Sequence, residues 1–237
     1  MKFQFSIRDI IDSSVQGTHC VYVKVMVDIP AMFVSYLAAN LTQVTANTLT
    51  YLGACFAAVS AFHIISGEIL YAALWFYGSF LCDFMDGKIA RLRQSSSHYG
   101  KKLDLAFDRL IFCSLTLSYL FYFENNGMVK EQVILIVYAM IFLTYDVLEL
   151  TDSVVGYRKV LDNIGVVHTN PSVKDEVEDR TYFTSLRKLK TWVPSRVGSV
   201  GFVFILAPLT SFLIAYIVSL VAISIRLTWF LIQYFKR

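Results

Sequence analysis

The chain is expected to be an all-α membrane protein, with six transmembrane helices and an N-terminal helix lying in the interface. Three observations predict this. First, 56% of the 237 residues are hydrophobic and only 16% are charged, whereas roughly a quarter of a soluble domain is charged. Second, six stretches each approach the roughly 20 apolar residues that a bilayer core requires. Third, the cations fall almost entirely on one side of those stretches.

The N-terminal segment MKFQFSIRDIIDSSVQG lacks a long apolar core and a small-residue cleavage site, so no signal peptide is expected. Tyr22–Leu41 carries Lys24, Asp28 and Pro30 and reads as the interfacial helix. The first span is about Asn47–Ser66, ended by SGE. The second is about Glu68–Arg91. The third is about Gly100–Phe123, ended by ENNG, and the fourth about Val129–Glu149. The last two share Val197–Phe235, divided near Phe212–Tyr216. Between the fourth and fifth lies a polar cytoplasmic loop, about 152–195, with mixed charge and a proline in HTNPSVKDEVEDR. The chain thus divides into a cytoplasmic arm with its interfacial helix, 1–46, and a six-helix transmembrane domain, 47–237.

With both termini in the cytoplasm, 19 of the 21 Lys and Arg lie on the cytoplasmic side. Only Lys130 falls outside, and Arg226 lies within the sixth span. A multi-pass membrane protein with both termini inside satisfies the positive-inside bias. The formal charge of +3 is mild and gives no basis for nucleic-acid binding. The four cysteines form no CxxC pair, so neither a zinc site nor a disulfide framework is indicated.

Against this apolar background, CDFMDGKIARLRQSSSHYGKKLDLAFDRL, from Cys82 to Leu110, places four aspartates at the cytoplasmic mouth of the second and third spans. Asp83 and Asp86 are spaced i, i+3, and Asp104 and Asp108 i, i+4, so each pair lies along one helical face. Facing pairs would converge on one point. Ionised groups at membrane depth cost several kcal/mol and like charges repel. A divalent cation resolves both problems, and an all-oxygen set suits Mg²⁺, Mn²⁺ or Ca²⁺ rather than zinc. Two metals bridged by carboxylates are a recurring device for displacement at phosphorus. Gly87, Ala90 and Gly100 clear space for a ligand near the backbone, and Arg91 is placed to clamp a diphosphate.

The string Asp83-x2-Asp86-Gly87-x2-Ala90-Arg91-x8-Gly100-x3-Asp104-x3-Asp108 resembles the complete signature of the CDP-alcohol phosphatidyltransferases. Eight fixed residues at fixed spacing is a specific match. Upstream, VTANTLTYLG is similar to the family's T-P-N-x-x-T-x-x-G stretch. Thr45, Asn47, Thr50 and Gly53 match, and Ala46 replaces the proline. The resemblance implies a CDP-alcohol phosphatidyltransferase-like fold and an enzyme of phospholipid synthesis. Such an enzyme binds a CDP-linked alcohol, either CDP-diacylglycerol or a CDP-headgroup. An acceptor hydroxyl attacks the β-phosphorus and CMP leaves. Asp83, Asp86, Asp104 and Asp108 would hold two Mg²⁺ or Mn²⁺ ions, and Asp108 would also act as general base. Asn47, Asp83, Gly87, Ala90, Arg91 and Gly100 would form the CDP site. A homodimer embedded in membrane lipid, with a cytoplasmic active site, is implied as well.

The acceptor site is less legible. Asp146 and Glu149 close the fourth span, and ionisable residues in spans are functional suspects. Arg187 and Arg196 belong to TSLRKLKTWVPSRVG and offer charge for an acceptor phosphate. Two other readings compete. A divalent-cation transporter needs a polar path across the bilayer, yet LIFCSLTLSYLFYF after Arg109 and YAALWFYGSFLC before Asp83 carry no charged side chain. An inactive relative of the same fold is disfavoured by the intact aspartates.

Overall fold

A computed structural model of the chain describes residues 5–14, 23–164 and 196–235, which are helical with no strand among the described residues. The helices are α1 (Ile7–Ser14), α2 (Lys24–Leu41), α3 (Ala46–Ile65), α4 (Ile69–Leu92), α5 (His98–Asn125), α6 (Val129–Ile164), α7 (residues 196–209) and α8 (Phe212–Phe235). Two are irregular: α2 opens with a π-helical turn, Lys24–Asp28, and α7 contains another, Phe202–Leu206.

Helix starts follow local chemistry. Ser6 and Asp9 form a capping box on α1, with Ser6 N donating to Asp9 Oδ2 at 2.7 Å and Asp9 N to Ser6 Oγ at 3.2 Å. Thr45 caps α3 by accepting from Thr48 N, and Ser97 caps α5 by accepting from Gly100 N. Tight turns after α3 and α5 use Gly67 and Gly127, both at positive φ.

The helices expected from the sequence reappear with small shifts in their limits, and three differences have physical causes. The polar segment from 152 does not begin as a loop: α6 continues to Ile164, through TDSVVGYRKVLDNI, which holds no proline and recurrent apolar residues. The break between the last two helices falls at Thr210–Ser211, ahead of the expected Phe212–Tyr216, two residues after Pro208. Third, among the described residues five helices are long and apolar enough to cross a membrane: Lys24–Leu41, Ala46–Ile65, Lys102–Asn125, Val129–Leu148 and Phe212–Ile232. This set includes the helix expected in the interface, whose exposed side presents Val25, Met26, Ile29, Phe33 and Leu37. It does not include α4, whose 24 residues carry Asp83, Asp86, Lys88 and Arg91, or the short α7.

The core lies between α4, α5, α6, α7 and α8. Phe112 stacks on Phe142 at 4.2 Å, while Phe204 from α7 meets Phe76, Phe112 and Tyr119. Beside this core, α3 packs closely along α4. A Cβ on Gly53 would stand 3.3 Å from Cys82 Cβ and 3.4 Å from the Ser79 carbonyl, so the small residue sets the approach. The exposed residues elsewhere include Phe62, Leu74, Leu117, Met140 and Ile214, as a surface facing lipid requires.

Three polar contacts hold the N-terminal arm and α2 to this body. Lys88 Nζ meets Asp28 Oδ1 at 2.6 Å, with Lys88 only 2% exposed. Arg93 donates to the carbonyls of Val44 (2.6 Å) and Thr42 (2.7 Å), holding the link that leads into α3. Asn40 exchanges hydrogen bonds with the backbone of Phe5.

Candidate active site

The aspartates stand where α3, α4 and α5 meet. Asp83 and Asp86 come from α4, and Asp104 and Asp108 from the first turns of α5. Asp83, Asp104 and Asp108 each offer a carboxylate oxygen, and these oxygens lie within 4.8 Å of one another. Three carboxylates at that separation repel one another strongly unless a cation or protons intervene, and their hard oxygen donors fit a divalent cation such as Mg²⁺ or Mn²⁺.

Asp86 departs from the expected fourfold convergence. It is 6% exposed and accepts a hydrogen bond from Thr50 Oγ1 at 2.6 Å. It lines the same small cavity as the other three, together with Thr50, Gly53, Ser79, Phe107 and Ile111. Its carboxylate is held against α3, while the other three form the tight group.

The residues expected around CDP fall into two local groups, one at the starts of α3 and α5 and one on α4. Asn47 lies in the first turn of α3. Its Oδ1 is 3.3 Å from the position a Cβ on Gly100 would take, and Ser97 Oγ is 3.1 Å from the same point. Glycine at 100 therefore permits α5 to begin directly against Asn47. On α4, a Cβ at Gly87 would stand 3.2 Å from Arg91 Nη1, so the guanidinium folds back along its own helix toward Asp86. Ala90 is half-buried between them in sequence, and Arg91 is exposed.

A family model described as CDP-alcohol phosphatidyltransferase matches residues 43–232. The chain belongs to the CDP-alcohol phosphatidyltransferase family. No curated protein matches it. Membership makes the protein an all-α integral membrane protein of a transferase family that generally uses divalent metal, with a CDP-alcohol substrate and an alcohol acceptor. The matched segment begins just before the Thr45 cap and contains every motif residue.

On the far side of Asp83 and Asp108, this phosphatidyltransferase-family chain has a second, larger cavity. It lies between α4, α5, α6 and α7. Asp146 stands in its wall, 4% exposed, where its Oδ2 is 2.7 Å from Arg109 Nη2. Of the expected acceptor residues, Asp146 thus lines this cavity. Glu149 lies on α6 and Arg196 opens α7, but their side chains lie outside the described residues, as does Arg187 altogether. Arg109 was legible only as one of the cytoplasmic cations. Its position directly after Asp108 was the available signal.

Proposed function

We propose that the protein transfers a phospho-alcohol or phosphatidyl group from a CDP-alcohol to an acceptor hydroxyl, with release of CMP, in phospholipid synthesis. The observation that carries this reading is the group of Asp83, Asp104 and Asp108 within 4.8 Å, with Gly87 one helical turn from Asp83 and Gly100 one turn from Asp104. An oxygen-only set of this kind fits two Mg²⁺ or Mn²⁺ ions, held by Asp83, Asp86, Asp104 and Asp108. When bound, the metal neutralises the diphosphate and stabilises the charge that develops on it.

The chain's own residues supply the rest. Thr50 orients Asp86 by its hydrogen bond. Gly87, Ala90 and Gly100 leave room for the nucleotide to approach the backbone, and Asn47 offers an amide to it. Arg91 supplies a cation to the diphosphate. Asp108 accepts the proton of the acceptor hydroxyl, as a carboxylate within reach of the reacting oxygen can. Orientation with both termini and the site in the cytoplasm follows from the cation distribution, and a homodimer in membrane lipid is expected from the family.

The test is CMP release by purified full-length chain in nanodiscs with Mg²⁺ or Mn²⁺, for the wild type and Asp108→Asn. The proposal expects acceptor-dependent CMP from the wild type, and CDP binding with no turnover from the variant. Full activity in the variant removes Asp108 as the base.

A further inference from the structure

We infer that Asp28, on α2, is a positioning residue for Arg91 and, through it, for the diphosphate of the nucleotide. The inference rests on the phosphotransfer reading. It adds to that site a residue from outside the segment 43–232 that the family model matches. The geometry begins at Lys88, the residue after Gly87. Lys88 is 2% exposed, and its ammonium lies over the Phe84 ring, 5.3 Å from the centroid. A cation this buried needs a fixed anion, and Asp28 Oδ1 supplies one at 2.6 Å. Lys88 and Arg91 are spaced i, i+3, so their side chains leave neighbouring points on one face of α4. An aspartate held on Lys88 is thereby also brought beside Arg91.

The guanidinium of Arg91 lies along Gly87, where an added Cβ would stand 3.2 Å from Nη1 and 3.6 Å from Nη2. Among the described residues, Asp86 and Asp28 are the carboxylates whose charges act on it, Asp86 the more strongly. At 3.6 residues per turn, Asp86 and Lys88 fall on opposite sides of Arg91 around α4. The two carboxylates therefore pull the guanidinium from opposite sides, and it keeps one orientation. With Asp28 gone, attraction to Asp86 alone draws Arg91 onto a carboxylate proposed to hold metal, and away from a nucleotide.

The start of α2 is built to hold Asp28 in place. Its π-helical turn, Lys24–Asp28, ends on this residue, and such turns carry an extra residue and recur at functional sites. Within the turn, the Met26 carbonyl accepts from Tyr77 Oη of α4 at 2.7 Å. Just beyond the other end of α2, the Thr42 carbonyl accepts from Arg93 Nη2, also of α4, at 2.7 Å. The two helices are thus tied on both sides of Asp28.

The experiment separates positioning from stability. Lys88→Met combined with Asp28→Leu removes the ion pair and leaves neither charge buried alone. The full-length chain in nanodiscs is compared with this double variant, with Arg91→Ala, and with the triple variant. Thermal unfolding and CDP binding in the presence of Mn²⁺ are measured for each. The inference expects the double variant to unfold near the wild-type temperature, yet to bind CDP ~10-fold or more weakly, a size typical when the outer partner of a binding group is lost. In the Arg91→Ala background the same two substitutions should leave CDP affinity unchanged. Asp28→Asn, isosteric and still able to accept from Lys88, should show the same Arg91-dependent loss. CDP binding by the double variant at or above wild-type strength, or an equal loss with and without Arg91, would overturn the inference. In either result the wild type still binds CDP, and the phosphotransfer reading stands. A wild type that does not bind CDP would overturn that reading and the inference with it.

Discussion

Thr50 and Asp86 are joined by a 2.6 Å hydrogen bond that ties α3 to α4 at the floor of the carboxylate site. They are 36 residues apart in the chain, and both lie where helix backbones already satisfy their own amides. The Thr50 hydroxyl also lies 3.2 Å from the Ala46 carbonyl, the longer of its two contacts. Asp86 is nearly inaccessible to water, so losing its donor leaves a buried carboxylate under-satisfied. Thr50→Val, close to isosteric, should lower stability by ~1–3 kcal/mol. Thermal unfolding in detergent checks this, and metal affinity should weaken in the same variant because Asp86 loses its fixed orientation.

Lys88 and Asp28 form the second long-range link, between α2 and the helix that carries Asp83 and Asp86. Their side chains are 3% and 16% exposed. Removing one partner of a buried pair typically costs ~3–5 kcal/mol, because the other charge is left uncompensated. Lys88→Met and Asp28→Leu should each destabilise strongly, and the double variant should recover most of the loss. A double-mutant cycle of unfolding free energies reads the coupling. Additive losses would mean that the pair contributes nothing as a pair.

Gly53 sets the spacing of α3 against α4. With Cys82 Cβ 3.3 Å and the Ser79 carbonyl 3.4 Å from its missing Cβ, Gly53→Leu must push the two helices apart. Overpacking of this kind costs ~1–3 kcal/mol, and here it also displaces Thr50 from Asp86. Activity and melting temperature should fall together. Gly53→Ala, which needs a shift of only a few tenths of an ångström, should retain most of both.

Much of the site was legible in the sequence because its geometry is local. The i, i+3 and i, i+4 spacings put the aspartates on helix faces, and the caps at Thr45 and Ser97 start the helices that present Asn47 and Gly100. What the sequence could not supply were partners across helices. The Asp28–Lys88 contact spans 60 residues, and Lys88 alone looked like one more cytoplasmic cation. Arg109 and Asp146 come from different helices, and nothing local marks their meeting. Asp86 shares a helical face with Asp83, yet Thr50 draws it away from the tight group. Helix limits erred where side-chain character conflicts with helical propensity: the polar stretch after residue 151 continues α6, and a proline two residues upstream, rather than any glycine, precedes the break before α8.

The central claim is that the carboxylate group works through divalent metal on a CDP-alcohol. CMP release from the purified chain, with its active donor and acceptor, before and after metal removal by a chelator tests it most directly. The account predicts that release stops on chelation and returns when Mg²⁺ or Mn²⁺ is restored, with Asp83→Asn and Asp104→Asn inactive at any metal concentration. Undiminished CMP release after chelation would contradict it.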